Sequence, residues 1–391
     1  MANNNTVREP LLHIVKRDNI TLGKKIAIYA IAIVVSLLLG AIICSLVSTR
    51  GDVITFFISL FEGCFGTERL FWLFLQEFAL LLSVSMALIV AFKMKFWNLG
   101  ANGQILMGGL AAIACSYYFG GKVDDNLLIV IEILASVLAG AIWALIPAIC
   151  KAIWDTNETL FTLMLNYIAA GLVNLFIAIW VKGGSGILNP LAHGKLPELG
   201  NKYLLIILFG VLITTIITIY LKYSKHGYEL SVVGDSQNTA KYIGINVKKV
   251  IVRTLILSGA ICGLVGLLLT SGTSNSISAD TAANRGFTAI MTTWLANCNP
   301  LFAIATCGLV TFVTKGMQKV RPNFGMLDDT ISNLVIGIVY FFIIACAFFI
   351  QYKIVFSPEV TKVLNKIKKP FVVAFKKIKS LFKKSNVKEE K

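Results

Sequence analysis

Residues 70–92 read LFWLFLQEFALLLSVSMALIVAF, with a single formal charge, at Glu77. A bilayer hydrocarbon core takes about 20 mostly apolar residues as a crossing helix, so this stretch reads as a membrane span. The rest of the chain repeats it. Further spans are expected at Ile26–Val47, Leu99–Phe119, Leu127–Cys150, Thr159–Val181, Tyr203–Leu221, Val250–Thr270 and Ile331–Tyr352. Across all 391 residues, 57% are hydrophobic and 14% are charged, whereas about 25% charged is usual for soluble domains. That balance excludes a soluble enzyme, a DNA-binding domain and a disordered chain.

One region departs from the pattern. Gly286–Ala296 and Leu301–Thr314 are short apolar pieces split by Asn297, Asn299 and Pro300. Broken helices at membrane depth survive only where protein or a water-filled cavity covers the freed backbone, so this pair is a candidate transport path. The fold class expected is all-α: a polytopic transmembrane helical bundle of about ten membrane segments, including this broken or re-entrant pair, with a basic amphipathic C-terminal tail.

The net charge is +16. In a membrane protein such charge marks the inner loops. Arg8, Lys16, Arg17, Lys24 and Lys25 place the N-terminal arm, residues 1–25, in the cytoplasm. Alternation from there puts Lys93, Lys95, Lys151 and the 222–250 loop inside. Residues 353–391 carry twelve Lys and three Glu, a net +9, so both termini are expected to be cytoplasmic. The two short pieces must then make two crossings, which leaves Lys315, Lys319 and Arg321 outside. In the tail, Val360, Leu364, Ile367, Phe371, Phe375, Ile378 and Phe382 recur at helical spacing among lysines, interrupted by Pro370. This pattern suits a helix lying on anionic lipid. The domain organisation is thus an arm at 1–25, a permeating domain at 26–352 and the tail at 353–391.

Chemistry-bearing motifs are scarce. No phosphate-binding Gly-rich loop, nucleophile elbow or His-Glu-x-x-His is present. Seven of the eight cysteines fall in or near apolar segments, and Cys64 is expected in an outer loop. No cysteine or histidine spacing suits a metal. His13, His193 and His226 are read as loop residues. No catalytic residue, metal or cofactor is expected. Glu77 and Glu132 are acids within spans, a costly placement that suggests either ion coupling or contact with water or a polar neighbour.

A lever is the alternative to ion coupling. In the polar segment 224–246, Glu229–Val233 reads as a turn or short strand. Asp235 or Ser236 can then cap a short helix, Gln237–Ile243, that ends at Gly244. A short inner helix tied to two membrane helices can transmit a push from another subunit.

This segment resembles the ATPase-docking loop of ABC importer permeases of the simple-sugar and nucleoside branch. It keeps Gly227, Val233, Gly234, Ala240, Tyr242, Gly244 and Ile245 of the family pattern, and departs from it at Ser231, Ser236, Gln237 and Thr239. Phe96–Gln104 (FWNLGANGQ) is similar to a nucleoside-permease signature, with Asn102 where Glu is usual. Asn157–Ala169 (NETLFTLMLNYIA) matches a second signature of that branch, and Gly286–Ile290 a third. The resemblance spans Leu70–Tyr352. It implies import of nucleosides across a bacterial plasma membrane. The implied partners are an ABC ATPase subunit with two cassettes, a second homologous permease chain, a substrate-binding lipoprotein and the lipid bilayer, without nucleic acid. The ATPase-coupling residues would be Gly227, Gly234, Asn238, Ala240, Lys241, Tyr242 and Gly244.

Residue chemistry gives candidates for the path. Asn98 and Gln104 supply donors and acceptors suited to an uncharged polyhydroxylated ligand, Thr162 and Asn166 share a helix, and Tyr167 or Trp294 can stack on a base. Helix packing through Gly108-Gly109 and Gly259-x-x-x-Gly263 competes with a ligand role for the glycine-rich stretch, and Asn157 with Glu158 suits helix capping. A simple-sugar permease, an ion-coupled secondary transporter and a structural membrane scaffold are the other readings.

Overall fold

Helices form wherever the apolar runs are bounded by capping residues. The computed structural model describes residues 12–16, 21–48, 51–181, 188–326 and 330–356. The longer helices are α1 (Leu22–Val47), α3 (Glu68–Lys93), α4 (Ala101–Phe119), α5 (Asp125–Trp154), α6 (Glu158–Trp180), α7 (Leu204–Tyr223), α10 (Val247–Leu269), α12 (Pro300–Asn323) and α13 (Thr330–Gln351). Shorter helices are α2 (Val53–Phe65), α8 (Lys225–Asp235), α9 (Gln237–Tyr242) and α11 (Arg285–Leu295). Seven described helices are long and apolar enough to cross a membrane: α1, α3, α5, α6, α7, α10 and α12. The starts are chemically marked. Thr67 accepts from the Leu70 N–H at 3.3 Å to open α3, and Asn157 accepts from the Leu160 N–H at 3.2 Å to open α6. Asn299 caps α12, with Pro300 in its first turn.

Among the described residues, contacts give two compact units, one up to residue 37 together with those from 338 on, the other between 38 and 337. The first contains an antiparallel ribbon of β1 (Leu12–Lys16) and β2 (Tyr352–Phe356), with Leu12 opposite Phe356. The helical architecture therefore carries one small ribbon that no alternation in the sequence announces. The amphipathic tail at 360–382 lies outside the described residues.

In the second unit, α4, α5 and α10 pack backbone to backbone. A Cβ at Gly108 would overlap Gly263, and one at Gly140 would overlap Gly259 and Gly263. One at Gly266 would overlap the Ile105 carbonyl. This seam contains both small-residue motifs. In lipid, where apolar burial does not drive helices together, such close approach supplies the packing attraction.

Several expectations change. Residues 53–65 form α2, which is too short to read as a span, and Cys64 is buried on it against α12 rather than placed in a loop. The second piece of the broken pair continues to Asn323, past Lys315, Lys319 and Arg321, so α12 is full length. Only α11 is short; at about 1.5 Å per residue its 11 residues reach about half the core. Residues 229–233 are helical within α8, because Ser224 caps a helix there by accepting from Gly227 N–H at 3.0 Å. His13 lies on β1 and His226 on α8, leaving only His193 in a loop.

Candidate functional site

The loop entering α4 is held by a network of amides. The Asn98 side-chain oxygen, Oδ1, accepts from Gly100 N–H at 3.0 Å and from the Gln104 side-chain amide at 3.3 Å. Its amide nitrogen donates to Ser258 of α10 at 3.3 Å. From α6, the Thr162 hydroxyl accepts from Leu99 N–H at 3.2 Å. Asn166 accepts from Gly103 N–H at 2.8 Å and donates to the Leu99 carbonyl at 2.9 Å. Asn102 accepts from Gly286 N–H at 2.8 Å, which ties α4 to α11. Helix starts leave N–H groups unsatisfied; here α6 side chains and Asn98 supply acceptors at the start of α4, and Asn102 supplies one at the start of α11.

Four of the six path candidates, Asn98, Gln104, Thr162 and Asn166, are thus brought together and buried. The other two lie elsewhere. Tyr167 points outward on α6, 70% exposed. Trp294 is 51% exposed on α11, its ring 5.3 Å from that of Trp97. With Phe287 and Met291 it forms an exposed stripe along the short helix.

The charge at Glu77 has two partners. Arg285, the first residue of α11, donates from Nε at 3.1 Å and from Nη2 at 2.9 Å to its two carboxylate oxygens. Lys315 of α12 reaches the same group at 3.3 Å. The remaining guanidinium nitrogen, Nη1, donates to the Thr281 and Ala282 carbonyls. One carboxylate therefore joins α3, α11 and α12, and the cluster carries a net positive charge. Composition and spacing did not single out this cluster, although a signal was present: a lone acid in an apolar span needs a cation, and Arg285 heads the short apolar piece.

Glu132 is bound differently. It is fully buried and accepts from the hydroxyls of Ser116 on α4 and Ser271. Ser271 lies in a π-type turn, Thr270–Ser274, that ends α10. There the Asn275 amide donates to the His193 carbonyl at 3.0 Å, and Ser276 donates to the Leu188 carbonyl, so residues 188–193 are tied to the turn.

At the other end of the bundle, α8 buries Gly227, Leu230, Val233 and Gly234. A Cβ at Gly234 would strike the carbonyl of Lys93, where α3 ends, and one at Gly227 would strike that of Leu221. Glu229 pairs with Arg253 of α10 at 2.9 Å. The Ser236 hydroxyl caps α9 at 3.3 Å, and Gly244 ends that segment at a φ of +83°, open to glycine. Ala240 is buried, whereas Asn238, Lys241 and Tyr242 face outward, Tyr242 at 91% exposure. The unit is thus bolted to α3, α7 and α10, with an exposed outer face.

A family model described as "Branched-chain amino acid transport system / permease component" matches residues 69–344. The chain belongs to this permease family. The permease is 26% identical over 322 residues to the guanosine ABC transporter permease protein NupP of Bacillus subtilis, covering 80% of this chain and 91% of that one. It is 25% identical over 343 residues to the nucleoside ABC transporter permease protein NupB of Lactococcus lactis, covering 84% and 93%. It is also 28% identical over 294 residues to the glucose ABC transporter permease protein TsgB13 of Haloferax volcanii, covering 70% and 76%. The permease is a multi-pass subunit of an ABC importer in the cell membrane, and membership implies association with an ATPase subunit and a substrate-binding protein.

Proposed function

We propose that the permease carries nucleosides inward, driven by ATP hydrolysis on a separate subunit with two ATPase cassettes. A second, unlike permease chain completes the path, and a lipid-anchored binding protein delivers substrate. The observation that carries this reading is the near full-length match to two permeases, one named for guanosine and one for nucleosides, together with the Asn157–Ala169 signature.

In this account the cell is bacterial and the arm at 1–25, the loop at 222–250 and the tail at 353–391 face the cytoplasm. The permease domain runs from 26 to 352 and makes about ten passes into the membrane, with α11 descending and α12 returning. The exposed face of Asn238, Lys241 and Tyr242 receives the ATPase. Gly227, Gly234, Ala240 and Gly244 shape the lever that passes its motion to α3, α7 and α10. Asn98, Gln104, Thr162 and Asn166 act from the wall of the path by fixing the start of α4 beside α11. Trp294, or Tyr167 on the outer face of α6, offers a stacking surface for a base, which aromatic planes hold without regard to base identity.

The glucose permease relative favours a sugar as the second reading. Competition separates the two. With the assembled importer in vesicles, uptake of labelled guanosine is expected to fall with excess uridine or guanosine and to ignore ribose and glucose. Competition by the sugars alone would replace the nucleoside reading with the sugar one.

A further inference from the structure

A cleft of about 480 Å³ opens between α5 and α10 at the end of the bundle that carries α8 and α9. Its walls are apolar: Ile149 and Ile153 from α5, Val252 and Ile256 from α10. Its rim is basic. Lys248 and Lys249 line it from the first turn of α10.

That placement is electrostatically adverse. A helix N-terminus carries partial positive charge and favours acids; α3, α5 and α6 each have one in the first turn, and α10 has two lysines instead. Nearby acids are already committed. Asp155 and Glu158 pair with Lys151 at 2.7 and 3.0 Å, and Glu229 pairs with Arg253. No ion pair forms at Lys248 or Lys249 among the described residues. The Nε of Arg253, on the cleft wall, is buried without a hydrogen-bond partner. The level is that of the membrane interface, since Trp154 is exposed at the adjoining end of α5.

We propose that this cleft binds one anionic phospholipid, its phosphate on Lys248 and Lys249 and the upper part of one acyl chain between α5 and α10. An apolar slot under unmatched positive charge complements an amphipath with an anionic head, and basic pockets between membrane helices take such headgroups. The lipid would brace α10 where it receives α9.

The test uses the assembled importer in phosphatidylcholine vesicles with spin-labelled phosphatidylglycerol or spin-labelled phosphatidylcholine as the probe. Electron paramagnetic resonance is expected to show about one more immobilised phosphatidylglycerol than phosphatidylcholine per chain, the single-site stoichiometry of a basic pocket. Lys248→Gln with Lys249→Gln should abolish that excess, and so should Val252→Trp, which fills the slot. Ile256→Trp, at a more exposed wall position, reports the same occlusion if Val252→Trp does not assemble. No excess in the unaltered protein overturns the proposal. So does an excess that survives the lysine substitutions, or one that survives both tryptophans and is therefore only surface attraction. Release of the ATPase subunit by the lysine variant with lipid retained would assign the lysines to a protein partner instead.

Discussion

Two seams hold this bundle, and they work by opposite means. Along α4, α5 and α10, glycines bring backbones into contact, and the buried Glu132 meets serine hydroxyls. Along α3, α11 and α12, Arg285 and Lys315 meet at Glu77. The first seam is close-packed and leaves no room for an alternative arrangement. The second adds ion pairs to packing: long charged side chains join around a half-length helix that also buries Ala289, Ile290, Thr292 and Thr293. The seam fastened by charge is thus the one containing the half-length helix.

The largest effect is expected at the glycine seam. Gly263→Leu places a branched side chain against Ser136 and Gly140. Overpacking costs about 1–3 kcal/mol where side chains can yield. Here the obstacle is backbone, so the variant should leave no monodisperse protein on size-exclusion chromatography. A normal elution profile would show that this seam is not close-packed.

Next comes Glu77→Gln, which leaves Arg285 and Lys315 without their carboxylate. Breaking a buried pair by removing one partner costs about 3–5 kcal/mol; this cluster is part-buried, so a loss below that range is expected, read as a drop in melting temperature. Replacing Glu77, Arg285 and Lys315 together by Met should recover most of that stability, because apolar substitutes for a whole buried cluster are often neutral or stabilising. Uptake should remain low in the triple variant. Full uptake there would mean that the cluster is a fastening and nothing more.

The smallest effect is expected at Glu132→Gln. Its partners are hydroxyls, which rotate to donate or accept. Loss of the charge should cost about 1 kcal/mol, the scale of one hydrogen bond, with uptake near normal. A loss as large as that of Glu77→Gln would erase the distinction between the two acids.

Most spans were legible because length and hydropathy decide them: α3, α5, α6, α7 and α10 fall within a few residues of the expected limits. The errors share a cause. Reading by hydropathy stops at charges, and so it ended the second piece of the broken pair at Thr314, one residue before Lys315, whose charge Glu77 meets. It passed over α2, whose 13 residues are too few for a span and whose burial comes from α12. The β1–β2 ribbon joins segments from opposite ends of the chain, and no local pattern encodes such a pairing. At the site, residue chemistry named six path candidates, and the structure brings four of them together, Asn98, Gln104, Thr162 and Asn166, since polar residues in spans must find one another. It could not reveal that their hydrogen bonds go to the start of α4, because that depends on which backbone N–H groups lie opposite.

The central claim is that transport through this chain draws on ATP hydrolysed elsewhere. The direct measurement is labelled guanosine uptake into proteoliposomes, comparing the complete complex with this chain alone. The account predicts uptake by the complex only when ATP is present on the side bearing α8 and α9, and none by the isolated chain under a proton or sodium gradient. Gradient-driven uptake by the isolated chain would contradict it.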